Sequence, residues 1–383
     1  MRIPLSNPDI TDLERSAVME VLSTPDLSFG PKLSEFEEKF TRYIGSRHAI
    51  AVNSGTSALH LVVRALGLKK GDAVITTPFS FIASANCLLF EEVLPVFVDI
   101  DQKTYNIDAQ AIIQCLKHRS DVKAILPVHV FGEPCNMQAI MEIAWQHNLL
   151  VIEDACEALG AAVPMADIHN EGKAVMRKAG SIGVAGTFAF YPNKQITTGE
   201  GGMIVTDSQE VAELCRSMRN QGRGISGAWL AHERLGYNYR ISDINCALGI
   251  AQISRIVEIL SKRKKVAHMY TEALSGIDGL HLPYTDSAVE RSWFVYVVRL
   301  ADKFSQKDRD AVLEGLREKG IGCSNYFTPI HLQPFYVKRF GYKSGDFPIT
   351  EQVAKRSIAL PFYNNLTGDE ISYIAETLQG LVQ

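Results

Sequence analysis

From residue 49 onward, short apolar runs rich in β-forming residues alternate with helical stretches, at 49–52, 73–76, 96–99, 124–128, 149–152, 187–190 and 203–206. Parallel strands need crossover connections rather than tight turns, so this alternation predicts an α/β fold, a mostly parallel central sheet with helices on both faces. Sheets of that kind bind ligands beyond the carboxyl ends of their strands. The polar run 53–57 and Thr76, Thr77, Asp99, His129, Glu153 and Asp154 all close or follow these runs. One cleft is expected to gather them.

Beyond residue 240 the pattern changes. Apolar positions Ile244, Leu248, Ile250, Ile253, Ile256 and Ile259 recur near helical spacing, which predicts a long bridging helix over 242–275. A strand at 292–300 and helices at 306–319 and 351–358 make a smaller α+β unit. The expected division is 1–250 for a large domain with its N-terminal segment and 251–383 for the small C-terminal domain. The stretch 164–181, with Asp167, His169, Asn170, Glu171, Gly172, Lys173, Arg177 and Lys178, lacks periodicity and reads as an exposed insertion.

A net charge of −4 supplies no basic field, so nucleic-acid binding is not indicated. The run Lys262, Arg263, Lys264, Lys265 reads as a solvated helix face. No stretch approaches the roughly 18 consecutive apolar residues of a membrane span, and the N-terminus has no apolar leader core, so a soluble, cytoplasmic protein without membrane partners is expected. Cys87, Cys115, Cys135, Cys156, Cys215, Cys246 and Cys323 form no C-x-x-C pair, and neither a disulfide framework nor a metal site is expected.

Two residues define the chemistry. Lys194 follows the apolar run at 187–190 and precedes the glycine-rich Thr197 to Gly202, and Asp154 closes the run at 149–152. Pyridoxal 5'-phosphate needs an amine for Schiff-base formation and a carboxylate that keeps its ring nitrogen protonated. Partial burial would also move the lysine towards reactivity by penalising its ammonium form. Asn53, Ser54, Gly55, Thr56 and Ser57 lie where a strand turns into a helix, which suits either a phosphate site or a cap made by Ser54 or Thr56. Phe81 is either a core aromatic or a flat partner for the cofactor ring.

At these residues the chain resembles the DegT/StrS-type nucleotide-sugar aminotransferases, a branch of the fold type I pyridoxal phosphate enzymes. The resemblance covers nearly the whole length. It rests on Phe29-Gly-Pro31, the motif from Asn53 to Leu59, Glu153-Asp-Ala-Cys-Glu-Ala158, the Lys194 stretch, Gly236-Tyr-Asn-Tyr-Arg240 with Ser242-Asp243, and Tyr326 to Leu332. It implies pyridoxal 5'-phosphate bound covalently by Lys194, with Asp154 on the pyridine nitrogen and Gly55, Thr56 and Ser57 on the phosphate. Phe81 and Glu157 complete the cofactor set. Asn238 is implied to reach the phosphate of a neighbouring subunit, so a homodimer with shared active sites is expected. Phe29, Tyr326 and His331 would meet the substrate.

The implied reaction moves an amino group from L-glutamate to a nucleotide-linked keto-sugar in polysaccharide, glycan or antigen sugar biosynthesis. The Ile196 to Gly202 sequence resembles members acting on 4-keto-6-deoxy sugars more than those acting at C3. A 3-keto-sugar aminotransferase, a sugar dehydratase and a non-catalytic regulatory protein are the alternatives; Lys194 argues against the dehydratases, which often carry His there. Two departures stand out. Many relatives have Gln or His where this chain has Glu157, and an ionised carboxylate cannot donate to the cofactor's phenolate, so either Glu157 is protonated, or a water intervenes, or the aldimine proton is arranged differently; the first is the expectation, on the burial expected beside the ring. Ala189 replaces a serine that often assists the phosphate, a loss that Asn193 or Asn238 would offset. Arg219, Arg223 and Arg240 are candidates for the donor's carboxylate.

Overall fold

The computed structural model describes residues 2–166, 174–224 and 231–382. In chain order the first strands are β1 (His48–Val52), β2 (Ala73–Thr76), β3 (Leu94–Phe97), β4 (Val122–Ile125), β5 (Leu150–Asp154), β6 (Ala162–Ala166), β7 (Ala174–Lys178), β8 (Ala185–Ala189) and β9 (Gly202–Thr206). Seven of them form one sheet in the order β1-β9-β8-β5-β4-β2-β3. Only β9 runs against its neighbours in this sheet. The link from β8 to β9 is therefore a return loop rather than a crossover. That loop, 190–201, carries Lys194 past the same sheet edge at which β5, parallel to β8, ends in Asp154.

Both faces of the sheet are dry, as a parallel sheet between helices requires. Successive side chains of β1 point to opposite faces. Ile50 and Val52 pack with Leu59 and Val62 of helix Gly55–Ala65, whereas Ala49 and Ala51 pack with Phe36 and Phe40 of helix Pro31–Ile44. Phe36 and Phe40 are fully buried, each contributing ~2–3 kcal/mol by the area removed from water.

Three expectations change. The helical stretch 242–275 is two helices, Asp243–Ser254 and Ile256–Leu274, meeting at 66°. Arg255 stands at the bend with its guanidinium 3.1 Å from Asp9, 2.8 Å from Glu14 and 3.0 Å from Glu258; a local non-helical backbone there lets one arginine tie the N-terminal segment to both helices. The stretch expected as an irregular insertion is the β6–β7 hairpin, in which Ala162 to Ala166 pair with Lys178 to Ala174. Its tip, including Asp167, His169, Asn170, Glu171, Gly172 and Lys173, lies outside the described residues. Finally, the expected helix at 351–358 is Pro348–Arg356, after which the chain enters a strand.

That strand belongs to a second sheet made of β10 (Leu280–His281), β11 (Tyr296–Leu300) and β12 (Ser357–Leu360), all antiparallel. Helices Ile256–Leu274, Gln306–Glu318 and Gly368–Val382 cover it around Tyr270, Tyr296, Leu316 and Leu378. Residue 250, the expected boundary, falls inside Asp243–Ser254, and Ile3 packs into this second cluster. Asp99 docks the two units: its carboxylate accepts from Ile349 N (2.9 Å), Thr350 N (2.9 Å) and Thr350 Oγ1 (2.8 Å) at the start of helix Pro348–Arg356. Among the described residues, no single helix is long and apolar enough to cross a membrane.

Candidate active site

The end of β5 separates two adjacent carboxylates by strand alternation alone. Glu153 is fully buried and accepts from Gly180 N (2.8 Å), Ile182 N (2.6 Å) and Gly183 N (2.7 Å). His129 lies 3.1 Å from it through Nε2, and His129 Nδ1 accepts from Cys135 N at 3.0 Å. A ring that accepts at Nδ1 is neutral, with its proton on Nε2 facing Glu153. Both residues hold loops in place. Asp99, His129 and Glu153 therefore do not join the cleft, contrary to the expectation that it gathers every strand-end polar residue.

Asp154 does line the cavity. Its Oδ2 accepts from Ser84 Oγ at 2.7 Å and its Oδ1 from Cys156 N at 3.1 Å. Ser84 is backed by Ser80 at 2.8 Å. The carboxylate is thus oriented on both oxygens while remaining on the cavity wall.

Opposite it, helix Gly55–Ala65 begins at the capping residue Ser54, whose Oγ accepts from Ser57 N at 3.1 Å. The first turn of a helix has N–H groups without intrahelical acceptors. With Ser57 N taken, those of Gly55 and Thr56, both residues of the cavity wall, have no acceptor within the helix. Close approach is why glycine stands here: a Cβ on Gly55 would lie 2.7 Å from Ala189 Cβ, and one on Gly202 would lie 2.4 Å from the Ser54 carbonyl oxygen. The Ser57 hydroxyl donates to Asn53 Oδ1 at 2.7 Å, so it braces the loop.

Lys194 Nζ lies 3.6 Å from Glu157 Oε1 and 4.0 Å above the centre of the Phe294 ring. Phe294 is supplied by the segment leading into β11, and a buried arginine holds it there. Arg263 donates to the carbonyls of Trp293 and Phe294, both at 2.8 Å, and to Asn364 Oδ1 at 3.1 Å. The run 262–265 is therefore not uniformly solvated: Arg263 faces inward and is only 4% exposed.

Glu157 is buried, and its Oε2 accepts from Phe131 N at 2.9 Å. Burial pushes its carboxyl above the ordinary value, against the opposing pull of Lys194 and the Phe131 N–H. A raised folded-state value means that this group's contribution to stability is fully present below the unfolded carboxyl's pKa and is lost as pH rises through the folded one. Glu157→Gln is accordingly expected to gain melting temperature over the wild type as pH rises from 4 towards neutrality in cofactor-free protein, by on the order of 2–4 °C. A gap that stays constant or narrows with pH in thermal unfolding would count against a proton held at Glu157.

The cavity enclosed by these groups has a volume of about 530 Å³, and Phe81, Phe294, Tyr326 and Phe327 form much of its apolar wall. Phe81 stands at the rim, 63% exposed. Burial pushes the Tyr326 phenol up to about 12. Other expected contacts lie elsewhere. Phe29 is 43% exposed under the Arg219 guanidinium, 5.3 Å away. His331 is completely buried with Nε2 3.2 Å from Glu351, and it does not line the cavity. Asn238 is exposed outside its own cavity, with its carbonyl accepting from Asn53 Nδ2 at 3.4 Å.

The three candidate arginines are not cavity residues either. Arg219 is buried against Glu37 and donates to the Ala51 carbonyl at 2.7 Å. Arg240 is held by Asn220 (3.0 Å) and Gln221 (2.6 Å), and Arg223 is absent from the wall. Sequence reasoning overlooked Ser84, Phe294, Gln195 and Arg263. Only the hydroxyl pair Ser80 and Ser84, four residues apart, gave a signal.

The arrangement fits pyridoxal 5'-phosphate: N–H groups for its phosphate, a fixed carboxylate for its ring nitrogen and an amine for its aldehyde, all in one cavity. The profile of the DegT/DnrJ/EryC1/StrS aminotransferase family matches residues 8–379. GDP-perosamine synthase of Caulobacter vibrioides is 37% identical over 98% of this chain and 97% of its own. Among solved structures, Helicobacter pylori PseC, an aminotransferase involved in the biosynthesis of pseudoaminic acid, superposes with a TM-score of 0.91 at 27% identity, covering 100% of this chain and 99% of that one. The PLP-form of the putative sugar aminotransferase Spr1654 from Streptococcus pneumoniae gives 0.90 at 26%, with coverage of 100% and 99%.

Proposed function

The chain belongs to the DegT/DnrJ/EryC1/StrS aminotransferase family and is a pyridoxal-phosphate-dependent aminotransferase, and on that premise we propose that it transfers an amino group from L-glutamate to a nucleotide-linked 4-keto-6-deoxy sugar. The observation that carries this reading is the convergence of Lys194, Asp154 and the Gly55–Thr56 N–H groups on one cavity. The bound cofactor supplies an electron sink for the carbon that loses its proton. Lys194 would hold the cofactor through its amine, and the same amine would serve to move a proton on and off the reacting carbon. Asp154, held by Ser84 and Cys156 N, keeps the ring nitrogen protonated. Gly55 and Thr56 donate to the phosphate, with Ser57 bracing them from behind. Phe81, on the cavity wall, would cover the ring. Of the residues expected to meet substrate, Tyr326 is the one on the wall, and we assign it to the sugar side.

Glu200, in the Ile196 to Gly202 sequence that suggests a 4-keto acceptor, also lines the cavity. The test is a set of single-turnover assays of the amino form of the enzyme against nucleotide keto-sugars. A 4-keto sugar is expected to react at least ~100-fold faster than its 3-keto counterpart, well within the ~10⁴-fold discrimination open to a site that hydrogen-bonds its substrate. The reverse order would overturn the assignment.

We also propose that the active site lies between two copies of the chain. Lys194 is the one cationic side chain on the cavity wall among the described residues, whereas a cofactor phosphate and a nucleotide diphosphate favour several strong donors. Asn238, exposed beside the Asn53 loop, is positioned to serve a neighbour. Mixing inactive Lys194→Ala subunits with Asn238→Ala subunits is expected to restore about a quarter of the sites, since half the dimers would be mixed and each would hold one intact site. Activity no greater than the average of the two variants would exclude sharing. The seven free cysteines support a reducing, cytoplasmic setting.

A further inference from the structure

Glu157 is the one carboxylate within ion-pair distance of Lys194 among the described residues. Asp154, another acid on the wall, has its oxygens committed to Ser84 and Cys156 N. The two members of the pair are registered to each other through the backbone: Gln195, which follows Lys194, donates Nε2 to the Glu157 carbonyl at 2.6 Å. The Phe131 N–H fixes Oε2, leaving Oε1 turned towards the amine. Both side chains are nearly dry, 14% and 8% exposed.

From this geometry we propose that Glu157 is the proton acceptor of Lys194, so that the amine becomes nucleophilic by passing a proton to a buried neighbour instead of to solvent. The step balances simply. A proton leaves Nζ for Oε1, Nζ keeps the lone pair, and the positive and negative charges vanish together without any change in heavy-atom bonding. A small rotation about the Lys194 side chain brings the 3.6 Å separation to hydrogen-bond length. The inference rests on Lys194 being the cofactor-bearing lysine.

In water the transfer would be opposed by about six pK units, the gap between a glutamic acid and a lysine ammonium. Burial penalises the Glu157 carboxylate and erodes that gap from its side. The surroundings act in both directions. The Phe294 ring beneath Nζ favours the ammonium, whereas the charge on Asp154 favours a protonated Glu157. Cys156 and Tyr326, the other titratable groups around Glu157, are kept protonated by burial and add no charge. The consequence is a pair that shares one proton, and the balance between its two forms does not depend on pH until the pair as a whole gains or loses a proton.

The test is the rate at which cofactor-free protein captures pyridoxal 5'-phosphate between pH 6 and 9, followed by absorbance. Borohydride trapping and peptide mass spectrometry then locate the modified lysine. The wild type is expected to vary by less than about threefold over this range, because the internal transfer supplies the neutral amine. Glu157→Gln, which cannot accept the proton, is expected to slow by about tenfold for each unit of falling pH over part of the range, the slope of a single ionisation. Glu157→Asp, which keeps the acid but shortens its reach, should fall between the two; circular dichroism and thermal unfolding of each variant establish that it is folded. Parallel pH profiles for wild type and Glu157→Gln would overturn the proposal while leaving Lys194 as the modified residue. Trapping at a different lysine would overturn the assignment of Lys194 and this proposal with it.

Discussion

Lys194→Ala is expected to reduce transamination by ~10⁴-fold or more, because one substitution removes both the covalent anchor and the group that moves the proton. The loss should lie in the chemical step. The phosphate cradle at Gly55 and Thr56 and the carboxylate of Asp154 remain, so the variant should still take up cofactor reversibly, without the borohydride-stable link the wild type forms. Added small primary amines should recover part of the proton-transfer rate. Measurements of kcat, reduction trapping and cofactor retention on gel filtration together check this. Activity within tenfold of wild type would mean that another lysine carries the chemistry.

Asp154→Asn should produce the next largest effect, a fall in kcat of ~10²–10⁴-fold, or roughly 3–5 kcal/mol of transition-state stabilisation. The amide is nearly isosteric, but it carries no charge to keep a ring nitrogen protonated. It also brings a donor where both present oxygens accept, from Ser84 Oγ at 2.7 Å and Cys156 N at 3.1 Å. The covalent link to Lys194 should survive, which separates this variant from the first: trapping persists while turnover collapses. If kcat stayed within tenfold, the charge of Asp154 would not be what activates the ring.

The α/β alternation was legible because most strands of the sheet bury both faces and read as nearly continuous apolar runs, with no need for long-range information. Lys194, Asp154 and the Gly55–Thr56 turn were legible for a related reason: they sit at strand ends or in the loop after one, where sequence position already implies the sheet edge. The small unit was less clear. The expected strand at 292–300 shrinks to Tyr296–Leu300, and the helix expected to run to 358 stops at Arg356. There the short run Ser357–Leu360 pairs with β11, and only the partner strand decides between helix and strand for a serine and three apolar residues.

By itself the sequence determined the sheet and the placing of Lys194 and Asp154 at one of its edges, because those depend on periodicity and on short-range order along the chain. Tertiary structure alone decided which of two adjacent acids, Glu153 or Asp154, faces the cavity, that His331 and Arg219 are packed away from it, and that Arg263 is buried to hold Phe294 under Lys194. It also brought Glu157 within 3.6 Å of that lysine. Partners separated by tens to hundreds of residues meet through the packing of the whole core, and burial, which sets where a proton rests, is a property of that packing and not of any local run of residues.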